Sequence, residues 1–125
     1  MLLGVTVACG KKNDEAEAAQ LLGVNVVTEK DRVEAREIFA NRCTTCHGPT
    51  GSGDGPASAG LAPKPRNFHD GAWQSNVSNE HITKISRYGG ASVGKSAAMP
   101  ANPNLTEKGA VVAALTGQIR SFGGR

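Results

Sequence analysis

Val33, Ala35, Ile38 and Phe39 recur at helical spacing, with polar residues between them. Thr28-Glu29-Lys30-Asp31 precedes them with the shape of a capping box, Asp31 standing in for the usual Glu. This pattern predicts a helix to about Arg42. Farther on, Ile82, Ile85 and Tyr88 form the inner face of a second helix that Ser78 or Asn79 can cap. Gly89-Gly90 stops it. A last helix, capped by Thr106, presents Val111, Val112, Leu115 and Ile119 on one face. Between these lie a glycine-rich stretch from Gly48 to Gly60, an extended run through Pro63 and Pro65, and a segment broken by Pro100 and Pro103. No alternating strand pattern appears. The fold class expected is all-α, about three main helices with long ordered loops, and loops this long in a compact domain usually have a purpose.

Composition sharpens the picture. In 125 residues there are three Phe, one Trp and one Tyr, too few large rings for a thick core in a small domain. Something other than an amino acid is expected to fill the centre. The net charge is +3 with cations scattered among acids, which argues against a nucleic-acid partner. No apolar run reaches the roughly 20 residues of a membrane-spanning helix.

The three cysteines pose two separate problems, because one disulfide would leave an odd thiol. Met1 to Ala8 is apolar, and Ala8-Cys9-Gly10 fits a lipoprotein-type junction in which Cys9 receives lipid. Thr6 stands where Leu is usual and no positive n-region precedes it, as a start assigned too late would explain. Residues 10–19 are charged and aperiodic and read as a tether. The expected organisation is a signal over residues 1–9, a tether over 10–28 and a folded domain over 29–125.

Cys43-Thr44-Thr45-Cys46-His47 is C-x-x-C-H. Two thiols at this spacing on a helical turn match the two vinyl groups of a haem edge and form thioethers with them. The histidine directly after them is carried beneath the iron as axial ligand. A thioredoxin-type pair would follow a strand in a βαβ setting, whereas Cys43 ends a helix. A structural zinc site needs four ligands, and a second pair is missing. One covalent haem c is the reading adopted. Its burial is worth on the order of 500 Å² of apolar surface, or about 12 kcal/mol, so the apoprotein is expected to fold poorly. Attachment of this kind takes place outside the cytoplasm, which supports export independently of Cys9.

Met99 is the preferred sixth ligand. It is the one methionine besides Met1, and Pro100 after it favours an extended backbone able to aim a thioether inward. His69 is the runner-up. His81, in the first turn of a helix, is expected to face solvent. Gly89 to Ser96 matches G-x-x-x-x-G-K-[ST] letter for letter, but a phosphate loop needs a strand before it and a helix after it. The glycines are instead expected to turn the backbone toward Met99, with no nucleotide bound. The Gly51-Ser52-Gly53-Asp54-Gly55 run lacks the carboxylates of a calcium loop.

With C-x-x-C-H after a short helix, a Met-Pro loop and a closing helix, the chain resembles the monohaem class I c-type cytochromes from about Thr28 to Phe122. Gly53-Asp54-Gly55-Pro56, Gly60 to Phe68 and Ala72-Trp73-Gln74 are similar to a group of bacterial periplasmic cytochrome c domains. The resemblance implies electron transfer and a crossing of the first and last helices near one haem edge. It also implies a proline carbonyl that holds the second nitrogen of His47. Pro63 is the candidate, with Pro56 and Pro65 as alternatives. Leu61 would pack on the haem, and Arg66 and Trp73 would donate to its propionates.

The leading function is therefore a one-electron carrier and not an enzyme, exchanging electrons with periplasmic or membrane redox partners. Two alternatives remain. One is a haem subunit or domain of a larger oxidoreductase. The other is a sensor or peroxidase in which Met99 dissociates. From Lys64 onward eight basic residues face three acids, Asp70, Glu80 and Glu107, so an acidic docking surface is expected on the redox partner.

Overall fold

The computed structural model describes residues 26–124. The signal-type segment, Cys9 and the tether up to residue 25 lie outside the described residues.

Helix α1 (Glu29–Ile38) starts at the capping box read from the sequence. The Asp31 carboxylate accepts from the Thr28 backbone N–H at 2.8 Å and from its hydroxyl at 2.6 Å. The Thr28 oxygen in turn accepts from the Asp31 N–H at 3.3 Å. These bonds hold the Asp31 carboxyl below its ordinary range. The helix buries Ala35 and Ile38, while Val33, expected with them, is 41% exposed. Two residues before Ala35 is more than half a turn away on a helix of 3.6 residues per turn.

The expected end near Arg42 is passed. A π-helical turn over Phe39–Cys43 joins α1 to α2 (Thr44–His47), so the helical path runs to His47. The wide turn re-aims the side chains of α2, and such turns recur at functional sites. Before it, Phe39 points into the core at 3% exposure. After it, Cys46 and His47 face a cavity.

A short helix, α3 (Gly71–Asn76), has no counterpart in the sequence pattern. Its cap is Asp70, which accepts from the Trp73 N–H at 3.1 Å. Six residues with one large apolar side chain give no periodicity to read. Helix α4 (Asn79–Tyr88) is capped by Ser78, which accepts from the His81 N–H. Its buried residues are Ile82 and Ser86, and Tyr88 is 49% exposed. The sequence pattern places Tyr88 inward, but six residues beyond Ile82 is about 240° round the helix.

Helix α5 (Gly109–Ser121) buries Val111, Val112, Leu115 and Ile119, as expected, and Thr116 with them. Thr106 does not cap it. Pro103–Leu105 forms a 3₁₀ turn that Thr106 closes. Leu105, fully buried, pulls this turn into the core, and α5 begins only after Lys108, without a side-chain cap.

Helix α1 packs against α5, and so does α4. Lys108 pairs with Glu34 across the first of these contacts. Arg120 ties the second. Its guanidinium donates to the carbonyls of Gln74 and Val77, each at 2.7 Å, and to Asn79 Oδ1 at 2.8 Å. Gln74, 2% exposed, donates to the Phe68 and Ile119 carbonyls. Among the described residues there are helices and turns and no strands. The observed fold is thus all-α, with three longer helices and long loops wrapped round a cavity.

Candidate functional site

The glycine-rich loop after His47 has a definite task. A helix end leaves four carbonyls without intrahelical donors. Here Gly48 N–H donates to Thr44 O at 2.9 Å, Ala57 to Thr45 O at 2.9 Å, Gly55 to Cys46 O at 3.0 Å and Gly53 to His47 O at 2.8 Å. The end of α2 is thereby closed by backbone alone. Gly55 has no room for a side chain, since a Cβ would lie 2.4 Å from the carbonyl oxygens of Thr44 and Thr45. Gly53 adopts φ +80°, the left-handed region that glycine enters at no steric cost.

His47 is 9% exposed and fixed on two sides. Its Nδ1 lies 3.0 Å from the Arg66 carbonyl oxygen. A carbonyl only accepts, so Nδ1 carries the proton and Nε2 keeps its lone pair. Its ring stacks on Phe68 at 4.5 Å between centroids and 17° between planes. Phe68 in turn meets Phe39, Trp73 and Phe122, at 6.5, 5.5 and 6.1 Å. Four of the five aromatic residues, all but Tyr88, are thus gathered behind one imidazole. Burial lowers the pKa of His47, the Arg66 hydrogen bond opposing this, which favours the neutral ring that binds metals.

On the open side lies a cavity of about 590 Å³, well within the range of cofactor pockets. Cys43, Cys46 and His47 line it together with Ser96, Met99 and Pro100. The two cysteines are not bonded to each other. Burial pushes the Cys43 thiol up to about 11, despite Arg42 beside it. Leu61, Pro63, Arg66 and Trp73, each singled out from the sequence, line the same cavity. Arg66 sits 5.8 Å from the Trp73 ring centre and 4.0 Å from the Asp70 carboxylate. The cations Arg42, Lys64, Arg66 and Lys95 line the cavity, and its lining contains no Asp or Glu. Two thiols, an imidazole with a free Nε2, an apolar interior and cations for carboxylates fit a covalently held haem.

The segment before Met99 bears out the glycine reading. Gly90 N–H donates to the Met99 carbonyl at 3.0 Å, and Lys95 N–H to the Gly90 carbonyl at 2.8 Å. A Cβ on Gly90 would sit 1.9 Å from the Ser96 oxygen. Helix α4 stands where a phosphate loop would have its strand, and the run coils into a 3₁₀ turn, Gly90–Val93.

Three expectations are corrected. The partner of His47 is the Arg66 carbonyl, not that of Pro63, Pro56 or Pro65. The loop is long enough that the extended Pro63–Arg66 run delivers its last carbonyl. His81 lines the cavity, half-buried, instead of facing solvent, because the adjacent Ile82 is drawn into the core. His69, the runner-up ligand, does not line the cavity, and its Nε2 contacts the Thr50 carbonyl at 2.6 Å.

The sequence reading misses Arg42, Ser86 and Asn102, which also line the cavity. Arg42 and Asn102 carry a faint signal, one beside Cys43 and the other three residues beyond Met99. Ser86 carries none.

Neither a curated protein nor a solved structure gives a significant match to the chain. The family model described as Cytochrome c matches residues 33–114, well over half of the sequence, and spans the attachment motif, Met99 and all of the cavity lining but Ile119. The chain therefore belongs to the cytochrome c family, and its cofactor is haem c attached at Cys43-Thr44-Thr45-Cys46-His47.

Proposed function

We propose that the protein is a one-electron carrier in which His47 and Met99 are the two axial ligands, a reading built on the haem-based electron transfer that membership in this family implies. One observation carries this reading: Cys43, Cys46, His47 and Met99 line a single cavity, with His47 held so that Nε2 is the nitrogen free to bind. When bound, the haem supplies an Fe(III)/Fe(II) couple. Arg66 and Phe68 orient the imidazole, and a histidine so oriented is the better ligand. The Gly90–Met99 and Lys95–Gly90 hydrogen bonds shape the loop that presents the thioether. A thioether opposite histidine raises the potential relative to other ligand sets. Ligation by both His47 and Met99 would leave substrate no open site on the metal. Arg66 and Trp73, on the cavity wall, would donate to the propionates of the bound haem. Reduced protein should give no prompt spectral response to carbon monoxide, only slow binding limited by release of the Met99 thioether. A prompt response would favour a sensor or peroxidase in which Met99 dissociates.

The rim of the cavity faces an acidic redox partner. Lys64 and Lys95 are exposed while lining the cavity. By contrast, Arg42 is engaged by Asn102 and Asn104, and Arg66 by Asp70. The protein works in the periplasm, anchored through lipid on Cys9. The small-residue-then-cysteine junction supports this, as does covalent haem attachment. Cys9→Ser should move the protein from the membrane fraction to the soluble one. Soluble wild type would remove the anchor and leave export standing.

A further inference from the structure

The two ligand-bearing segments meet at one side chain. Arg42 sits in the π-helical turn immediately before Cys43. Its Nη1 donates to Asn104 Oδ1 at 2.7 Å and to Asn102 Oδ1 at 3.3 Å, sixty residues away. Asn102 is itself fixed to α4, where its Nδ2 donates to the Ser86 carbonyl at 2.8 Å and its backbone N–H to the Arg87 carbonyl at 2.9 Å. Arg42, Ser86 and Asn102 all line the cavity that Met99 lines. Only Pro100 and Ala101 separate Met99 from Asn102, so motion allowed at Asn102 is passed to the thioether with little slack. Among the described residues, these two bonds alone join the Phe39–His47 helical path to the segment from Lys95 to Leu105 by hydrogen bonding.

We propose that Arg42 is a strap. It clamps the Met99 segment to the attachment helix, and so keeps the sixth position of the iron closed to small external ligands. Arg42 acts through Asn102 and Asn104 and is a positioning residue. A planar guanidinium suits this task, because one nitrogen bridges two amide oxygens in a fixed geometry. The strap reaches the segment from the residue before Cys43, while the Asn102–Arg87 bond ties the same segment to α4 and the Gly90–Met99 bond ties it to the turn after α4. With both in place the segment has no free end. The inference rests on Met99 being the sixth ligand, which a Met99→Ala variant decides separately.

The experiment uses holoprotein and three variants: Arg42→Ala, Arg42→Lys and Asn104→Ala. The reads are the red charge-transfer band of the oxidised Fe–S bond and the rate of carbon monoxide binding to reduced protein. Arg42→Ala is expected to weaken the band and to speed carbon monoxide binding about tenfold, the scale of one lost charge-assisted hydrogen bond. Asn104→Ala should move both reads the same way by less. Arg42→Lys, which keeps a charged donor, should restore most of the wild-type behaviour. Asn104 is exposed, so its variant decides the matter if Arg42→Ala does not fold. A lowered melting temperature in these variants with an unchanged band and wild-type carbon monoxide kinetics would reduce Arg42 to a structural role and overturn the strap. If Met99→Ala leaves the spectrum unaltered, the ligand reading fails instead.

Discussion

Phe68 lies flat against His47, ring centres 4.5 Å apart, and the Arg66 carbonyl two residues earlier meets His47 Nδ1 at 3.0 Å. One short extended run therefore supplies both the back wall and the hydrogen-bond acceptor of the imidazole. Gly51 makes this possible. The Phe68 N–H donates to its carbonyl at 2.8 Å, and a Cβ on Gly51 would press on Phe68 and Phe122 at 3.0 and 2.9 Å.

Removing that wall should cost both stability and ligand geometry. Phe68 is 6% exposed and touches three other aromatic residues besides His47. Phe68→Ala is expected to lower stability by about 3–5 kcal/mol, as for other buried aromatic truncations. Chemical denaturation of the holoprotein measures it. A loss under about 1 kcal/mol, well below that range, would show that the stack contributes little.

The capping box gives a pH-dependent prediction. The Asp31 carboxyl is held below its ordinary value of 3.8, chiefly by the Thr28 side chain and then by its backbone N–H. A carboxyl depressed by folding adds stability above its unfolded value and loses it as pH falls through the folded one. Thr28→Ala should cost about 1 kcal/mol at neutral pH. The gap to wild type should narrow as the pH drops below 3.8. Unfolding curves across acid pH check this, and a gap independent of pH would separate Asp31 from the cap.

Charge at the cavity rim should govern partner encounter. Lys64→Glu and Lys95→Glu are each expected to slow electron exchange with an acidic partner, whereas Lys84→Glu should have a smaller effect. Lys84 is exposed on α4 and does not line the cavity. The wild-type rate should fall as salt rises past about 0.1 M, where the Debye length is about 10 Å. Equal effects of all three substitutions would leave net charge, and not a rim, as the cause.

The chemistry of this chain is more legible in its sequence than its shape is. C-x-x-C-H fixes residue types at a spacing set by a haem edge, so Cys43, Cys46 and His47 stand out before any helix is drawn. The helices with strong apolar stripes, near Ala35, Ile82 and Leu115, are also readable, because burial imposes the helical period. The features that escape are decided by tertiary packing. The π-helical turn leaves no periodic trace, and α3 is too short to have one. Tyr88 and Val33 are apolar residues near their stripes in sequence but far from them in rotation, about 240° round from Ile82 and about 200° round from Ala35. The acceptor for His47 moves from a proline to Arg66, because a backbone carbonyl carries no side-chain identity and any residue on the loop can supply it. Arg42 and Asn102 are sixty residues apart, and only the folded chain brings them together.

The most direct measurement is the visible and near-infrared spectrum of oxidised holoprotein beside that of Met99→Ala. The account predicts a red charge-transfer band from an Fe–S bond in wild type, lost in the variant together with a fall in midpoint potential, since the thioether favours Fe(II). A variant spectrum identical to wild type would contradict it and pass the sixth position to another side chain of the cavity, His81 first.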